Sequence, residues 1–208
     1  MWVKICGITR YEDALAACVF GADAVGFVLT RSRRRADPHV VESWIHDIRG
    51  VEKVGVFTDE DPVYIAQISK ILGLDTVQLH APLMPAHRML LDDFRIIAAL
   101  KEVEPGLEPP MIPEDFPCRV LLDPSMGTGR VGDWRLLGIP FILAGGLTPE
   151  NVGQAIAQTR PFGVDVSSGV EAAPESRTGR RSVNSSVRRN RRRKNERLFR
   201  RIRRTVRA

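Results

Sequence analysis

The sequence is poor in the residues that staple a chain or carry it through a bilayer. Its three cysteines, Cys6, Cys18 and Cys118, are odd in number, widely spaced and without any CxxC pair. That excludes a disulfide framework and a thiolate zinc site. No run of 18 apolar residues occurs, so no membrane span is written. A β-rich run begins at Val3, which argues against a secretory leader. A reducing cytoplasm is the expected compartment. Aromatic residues make up only 6%, and acidic ones are almost missing from one end. Residues 177–208 hold 15 Lys and Arg against the single carboxylate of Glu196, whereas 1–176 hold 16 basic and 24 acidic residues. The net charge of +6 is thus a property of the tail. Clustered arginine is an electrostatic footprint for polyanions, and nonspecific polyanion contact through 177–208 is one expectation. No aromatic stacking platform or base-reading motif accompanies it, so a solvated basic extension is the other.

What is present is a recurrent pattern. The chain is 43% hydrophobic over 208 residues, enough for one sizeable core. Eight short β-branched or apolar runs recur, at 3–6, 24–28, 53–57, 77–80, 96–99, 120–123, 141–145 and 163–167, with centres 19 to 29 residues apart. Each interval accommodates one strand, one helix and two short loops. This predicts a parallel α/β fold, a (β/α)8 TIM barrel rather than an open doubly wound sheet. The expected organisation is a barrel body over 1–175, a basic polar insertion or linker over 176–194, and a last helix or basic tail over 195–208.

Several helices are legible. In "YEDALAACVF", Ala14, Leu15, Cys18 and Val19 share one helical face. Asp37 with Pro38, and Thr148 with Pro149, read as N-cap and first-turn pairs. The stretch "EPGLEPPMIPEDFP" is too proline-rich for a regular fifth helix. "ERLFRRIRRTV" lines Leu198, Phe199, Ile202 and Val206 along one face and could close the barrel.

Barrels of this kind build their sites from the carboxyl ends of the strands. Those ends carry Cys6, the loop "TRSRRR", Thr58 with Asp59, His80, the neighbourhood of Lys101, Asp123, Gly145 with Gly146, and Ser167 to Gly169. Cys6 admits two readings, a packed core thiol or a working thiolate. Asp123 sits at a strand mouth behind Val120, Leu121 and Leu122, where it suits a general acid or a loop cap. "LAGGLTPENV" and "DVSSGVE" follow the seventh and eighth strands, where barrel phosphate sites form; each glycine pair alone also reads as a tight turn. His80 is the only strand-end histidine, with His39, His46 and His87 on helices as solvated side chains. A metal-dependent epimerase needs more ligands than that. Lys4 and Lys53 fall within or at the start of strands, which disfavours an indole-forming enzyme with a catalytic lysine.

The segments "KICGITR", "GADAVGF" followed by "SRR", "VGVF", "VQLH", "LLD" with "GTG" and "DW", "AGGLTPENV" and "VDVSSGVE" together resemble the phosphoribosylanthranilate isomerase family of tryptophan biosynthesis. They occur in the family's order over residues 2–174. The resemblance implies an Amadori rearrangement of N-(5-phosphoribosyl)anthranilate to 1-(2-carboxyphenylamino)-1-deoxyribulose 5-phosphate, without cofactor or metal. It implies Cys6 as general base, Asp123 as general acid, and Arg34 on the anthranilate carboxylate. Gly145, Gly146, Ser168 and Gly169 would bind phosphate, and His80 and Asp165 would lie near the substrate. Arg31, Arg33 and Arg35 crowd Arg34 and are alternatives for the carboxylate. The sequence departs from the family at Met126, where a glycine is usual, and after the eighth strand, where an Arg-rich stretch replaces an acidic one. Another phosphosugar-binding barrel enzyme, or a polyanion-binding protein driven by the tail, are the competing readings.

Overall fold

The computed structural model describes residues 1–100, 117–124 and 139–167, together with Arg200 and Arg204. Strands β1 (Trp2–Cys6), β2 (Ala24–Val28), β3 (Glu52–Phe57), β4 (Thr76–Leu79), β5 (Arg95–Leu100), β6 (Cys118–Leu122), β7 (Phe141–Leu143) and β8 (Gly163–Val166) are parallel, each paired with the next. β8 pairs back with β1, through Trp2 with Gly163 and Lys4 with Asp165, and closes the barrel. Every expected strand is present within a few residues. Helices α1 (Tyr11–Val19), α2 (Pro38–Ile45), α3 (Pro62–Ile71) and α4 (Pro85–Leu90) follow the first four strands, and α5 (Val152–Thr159) follows β7.

The strand period of two sorts the core into two compartments. Outward residues such as Val3, Ile5, Val25, Phe27, Val77, Leu79, Val164 and Val166 pack against the helices through Ala14, Val41, Ile45, Ile65 and Val152. Inward residues Ala24, Val54, Ile97, Ala99, Leu121, Ile142 and Ala144 fill the barrel itself. The amino end of the barrel is sealed by a polar plug. Both carboxylate oxygens of Glu52 accept from Arg119 Nη1, at 2.9 and 3.1 Å, and Oε1 also accepts from Arg95 Nε at 3.2 Å and from the Thr76 hydroxyl. The Arg119 guanidinium in turn lies 5.4 Å from the Trp2 ring. Among the described residues, the opposite, carboxyl end holds a cavity.

Asp37 caps α2 as expected, accepting from His39 N at 3.0 Å, and Asp61 caps α3 in the same way, accepting from Val63 N at 2.8 Å. Two helical expectations need correction. α1 rests on the barrel through Ala14 and Ala17, while Leu15 and Val19 face outward at 42% and 72% exposure; the small residues let the helix lie close to the sheet. α5 begins three residues later than Thr148 and Pro149 suggest, because Thr148 to Asn151 form a turn closed by Asn151 Oδ1, which accepts from Thr148 N at 2.7 Å. The proline-rich stretch after β5, the 176–194 insertion and most of 195–208 lie outside the described residues. Of that last segment, Arg200 stands with its guanidinium 5.1 Å from the Phe20 ring, just beyond α1.

Candidate active site

A cavity of about 230 Å³ opens at the carboxyl end of the barrel, lined by residues from the ends and following loops of seven of the eight strands. Cys6, Arg34, His80, Asp123, Gly145, Gly146 and Asp165 all border it. Ser168, Gly169, Lys101 and the loop after Pro124 lie outside the described residues. Cys6 ends β1 and Asp123 follows β6, strands that are not neighbours, so the thiol and the carboxylate enter one space from different sectors of the wall. The chain escapes Cys6 through Gly7 at φ +81°, and Ile8 N then donates to Gly26 O at 2.9 Å. Asp123 is anchored by its own backbone N, donating to Leu100 O at 2.9 Å, and the residue is 7% exposed.

Among the four crowded arginines, Arg34 is half-buried, and Arg31, Arg33 and Arg35 are exposed. Arg34 Nη1 donates to Ser167 Oγ at 2.8 Å, tying the loop after β2 to the end of β8. Arg31 also borders the cavity, whereas Arg33 and Arg35 do not. Gly145 and Gly146 have φ of +84° and +66°, left-handed conformations in which a side chain is strained. Asn151 Nδ2 donates to Gly146 O at 2.9 Å and braces this turn against the head of α5. The diglycine is thus a tight turn on the cavity wall, as one of its two readings expects.

Beneath the cavity runs a connected polar row in which sequence reasoning placed His80 and Asp165 but missed the links, Lys4 and Gln78. Lys4 is fully buried; its Nζ donates to Asp165 Oδ2 at 2.7 Å and to Gln78 Oε1 at 2.9 Å. Gln78 Nε2 lies 2.9 Å from His80 Nε2. Because lysine only donates, Gln78 must offer it the carbonyl oxygen, and its amide nitrogen then donates to His80. That fixes His80 as the neutral tautomer with its proton on Nδ1. Burial lowers the His80 pKa, Asp123 opposes the shift and Lys4 adds to it. Burial also raises the Cys6 thiol pKa; Lys4 pulls it back, Asp165 pushes it further, and the net direction is upward. Asp165 is likewise raised, by burial foremost, against the pull of Lys4. The signal for this row was available in the strand period: if Cys6 faces the barrel interior, so does Lys4, two residues earlier.

One histidine assignment changes. His87 is not solvated but 2% exposed, its Nδ1 accepting from Met84 N at 3.0 Å at the start of α4, and burial lowers its pKa. His39 and His46 are exposed as expected. Among the described residues, no three His, Cys, Asp or Glu side chains converge to hold a metal ion, and no helix is long and apolar enough to cross a membrane.

Residues 3–175 match the family model described as N-(5'phosphoribosyl)anthranilate (PRA) isomerase. The N-(5'-phosphoribosyl)anthranilate isomerase of a Synechococcus strain is 39% identical over 195 residues, 84% of each chain. That of Pseudomonas putida is 40% identical over 193 residues, 82% of this chain and 88% of its own. The phosphoribosyl anthranilate isomerase of Thermotoga maritima superimposes with a TM-score of 0.75 at 30% identity, covering 100% of this chain and 98% of that one. A phosphoribosyl anthranilate isomerase solved in complex with reduced 1-(o-carboxyphenylamino)-1-deoxyribulose 5-phosphate superimposes with a TM-score of 0.73 at 30% identity, over 98% of both chains.

Proposed function

The chain belongs to the N-(5'-phosphoribosyl)anthranilate isomerase family of tryptophan biosynthesis, and from that premise we propose which of its residues carry the reaction. Asp123 protonates the furanose ring oxygen of N-(5'-phosphoribosyl)anthranilate, the ring opens to an iminium, and the Cys6 thiolate removes the C2 proton that the iminium has acidified. The resulting enolamine gains a proton at C1 and loses one from its C2 hydroxyl, giving the 1-amino-ketose. Each turnover leaves Cys6 protonated and Asp123 ionised, and proton exchange with solvent restores both. C1 is reduced as C2 is oxidised within the one molecule, so no net redox change occurs and the reaction needs no redox cofactor; a cytoplasmic setting accords with this.

Arg34 holds the anthranilate carboxylate, a planar anion that suits a guanidinium fork. The backbone N–H groups of the Gly145–Gly146 turn receive the phosphate, assisted by Ser168 and Gly169. Asp165 Oδ1, buried and without a hydrogen-bond partner among the described residues, accepts from a ribosyl hydroxyl, and neutral His80 borders the same sugar. The observation that carries this reading is the arrival of Cys6 and Asp123 in one cavity from non-adjacent strands, with Arg34 and the diglycine on its rim. The test is complementation of a tryptophan auxotroph lacking the isomerase, joined to steady-state kinetics. Cys6→Ser and Asp123→Asn are each expected to lower kcat by about 10²- to 10⁴-fold with unchanged circular dichroism. Near-normal turnover in either variant removes that residue's role.

A further inference from the structure

A thiol intended as a base is badly served by a dry site, because burial favours its protonated form. The barrel nevertheless buries Cys6 and places a fully buried ammonium group two residues before it on the same inward face of β1. Gly26, the register partner of Cys6 on β2, shows how close the two are. A Cβ built on Gly26 would stand 2.8 Å from Cys6 Sγ and 2.9 Å from Lys4 Cε. Both side chains therefore reach into the one volume that the missing side chain of Gly26 vacates. Lys4 Nζ is held there by Asp165 Oδ2 at 2.7 Å and Gln78 Oε1 at 2.9 Å.

We propose that Lys4 is a positioning residue for the base: pinned by Asp165 and Gln78 on the cavity floor, its ammonium is the counter-charge that lets Cys6 lose its proton inside the barrel. This rests on the assignment of Cys6 as base, but the electrostatic claim concerns the thiol alone. One cation stands between two groups that compete for it. When Cys6 is a thiol, Asp165 neutralises Lys4; when Cys6 is a thiolate, Lys4 is shared. The remaining ionisable groups bordering the cavity are His80 after β4, Asp123 after β6, and Arg31 and Arg34 after β2. His80 is held neutral by Gln78, Asp123 offers no positive charge in either protonation state, and the arginines are in the loop above the floor. Lys4 is thus the cation built into the strand that carries the thiol.

The test reads the thiol directly. In a Cys18→Ser/Cys118→Ser background, the rate of Cys6 alkylation by iodoacetamide is followed against pH, with thermal melting as the check on folding. Lys4→Met alone strands the Asp165 carboxylate, so the decisive comparison is Asp165→Asn against the double variant Lys4→Met/Asp165→Asn, which differ only in the cation. A buried pair replaced by neutral groups of similar volume is generally tolerated. The alkylation midpoint is expected to be higher in the double variant than in Asp165→Asn by roughly one pH unit or more, and the acid limb of kcat/KM is expected to follow it. Equal midpoints, or a lower one in the double variant, overturn the proposal. If the midpoints separate while Cys6→Ser keeps its turnover, the base assignment fails and the role of Lys4 toward the thiol stands.

Discussion

Arg34 shows what one side chain contributes at the mouth. Its bond to Ser167 joins the loop after β2 to the strand that closes the barrel, so the guanidinium is oriented before any substrate arrives. A lysine at this position would keep the charge and lose the planar fork. Arg34→Lys is expected to raise KM by roughly tenfold, the equivalent of one charge-assisted hydrogen bond, with a smaller change in kcat. Steady-state kinetics decide it, and an unchanged KM moves the carboxylate contact to Arg31, the other arginine on the cavity wall. At this scale the sequence was informative about which side chains line the cavity and uninformative about what stands behind them. Cys6, Asp123 and Arg34 follow strand ends, where function concentrates in this fold. Lys4 lies mid-strand, where a charged residue normally marks an exposed face, and only closure of the barrel turns that face inward.

Among the elements, the strands were the most legible part, because a parallel strand buried on both faces is a short apolar run bounded by loops. The helices were less so. In α1 the larger apolar residues mark a face that the structure leaves outside, since contact with the sheet selects the small Ala14 and Ala17. The start of α5 was displaced because Thr148 and Pro149 serve a turn that Asn151 closes. The plug at the amino end of the barrel was invisible, as Glu52, Thr76, Arg95 and Arg119 come from four strands and are far apart in sequence. Burial disfavours ionisation of Glu52, but the hydrogen bond from Thr76 and the two arginines outweigh it and hold the carboxyl below its ordinary range. Its contribution to stability is therefore complete above the unfolded carboxylate's pKa of about 4.3 and is lost as pH falls through the lower folded value. Glu52→Gln is expected to cost about 1–3 kcal/mol in urea unfolding at neutral pH. The difference from the parent should shrink in acid, while kcat/KM stays the same; a pH-independent difference would mean that the carboxylate's charge is not what the plug uses.

For the whole molecule, the barrel is polarised along its axis, with ion pairs sealing one end and chemistry at the other. The charge is polarised along the chain as well, since the acidic 1–176 region carries a strongly basic extension. Replacing Arg188, Arg189, Arg191, Arg192 and Arg193 by Gln is expected to abolish retention on a heparin column and to leave kcat/KM unaltered. Retention that survives the change, or that does not weaken as salt rises, would exclude the extension as a polyanion contact. The seam between β1 and β8 has a consequence of another kind. Lys4 and its counter-ion Asp165 are 161 residues apart and meet only there. An ammonium cannot be dried without its partner except at a cost of several kcal/mol, so the inner face of β1 is expected to stay hydrated until β8 arrives. Partly assembled barrels are therefore expected to remain wet and open at this seam, the interior closing in the step that brings Lys4 and Asp165 together.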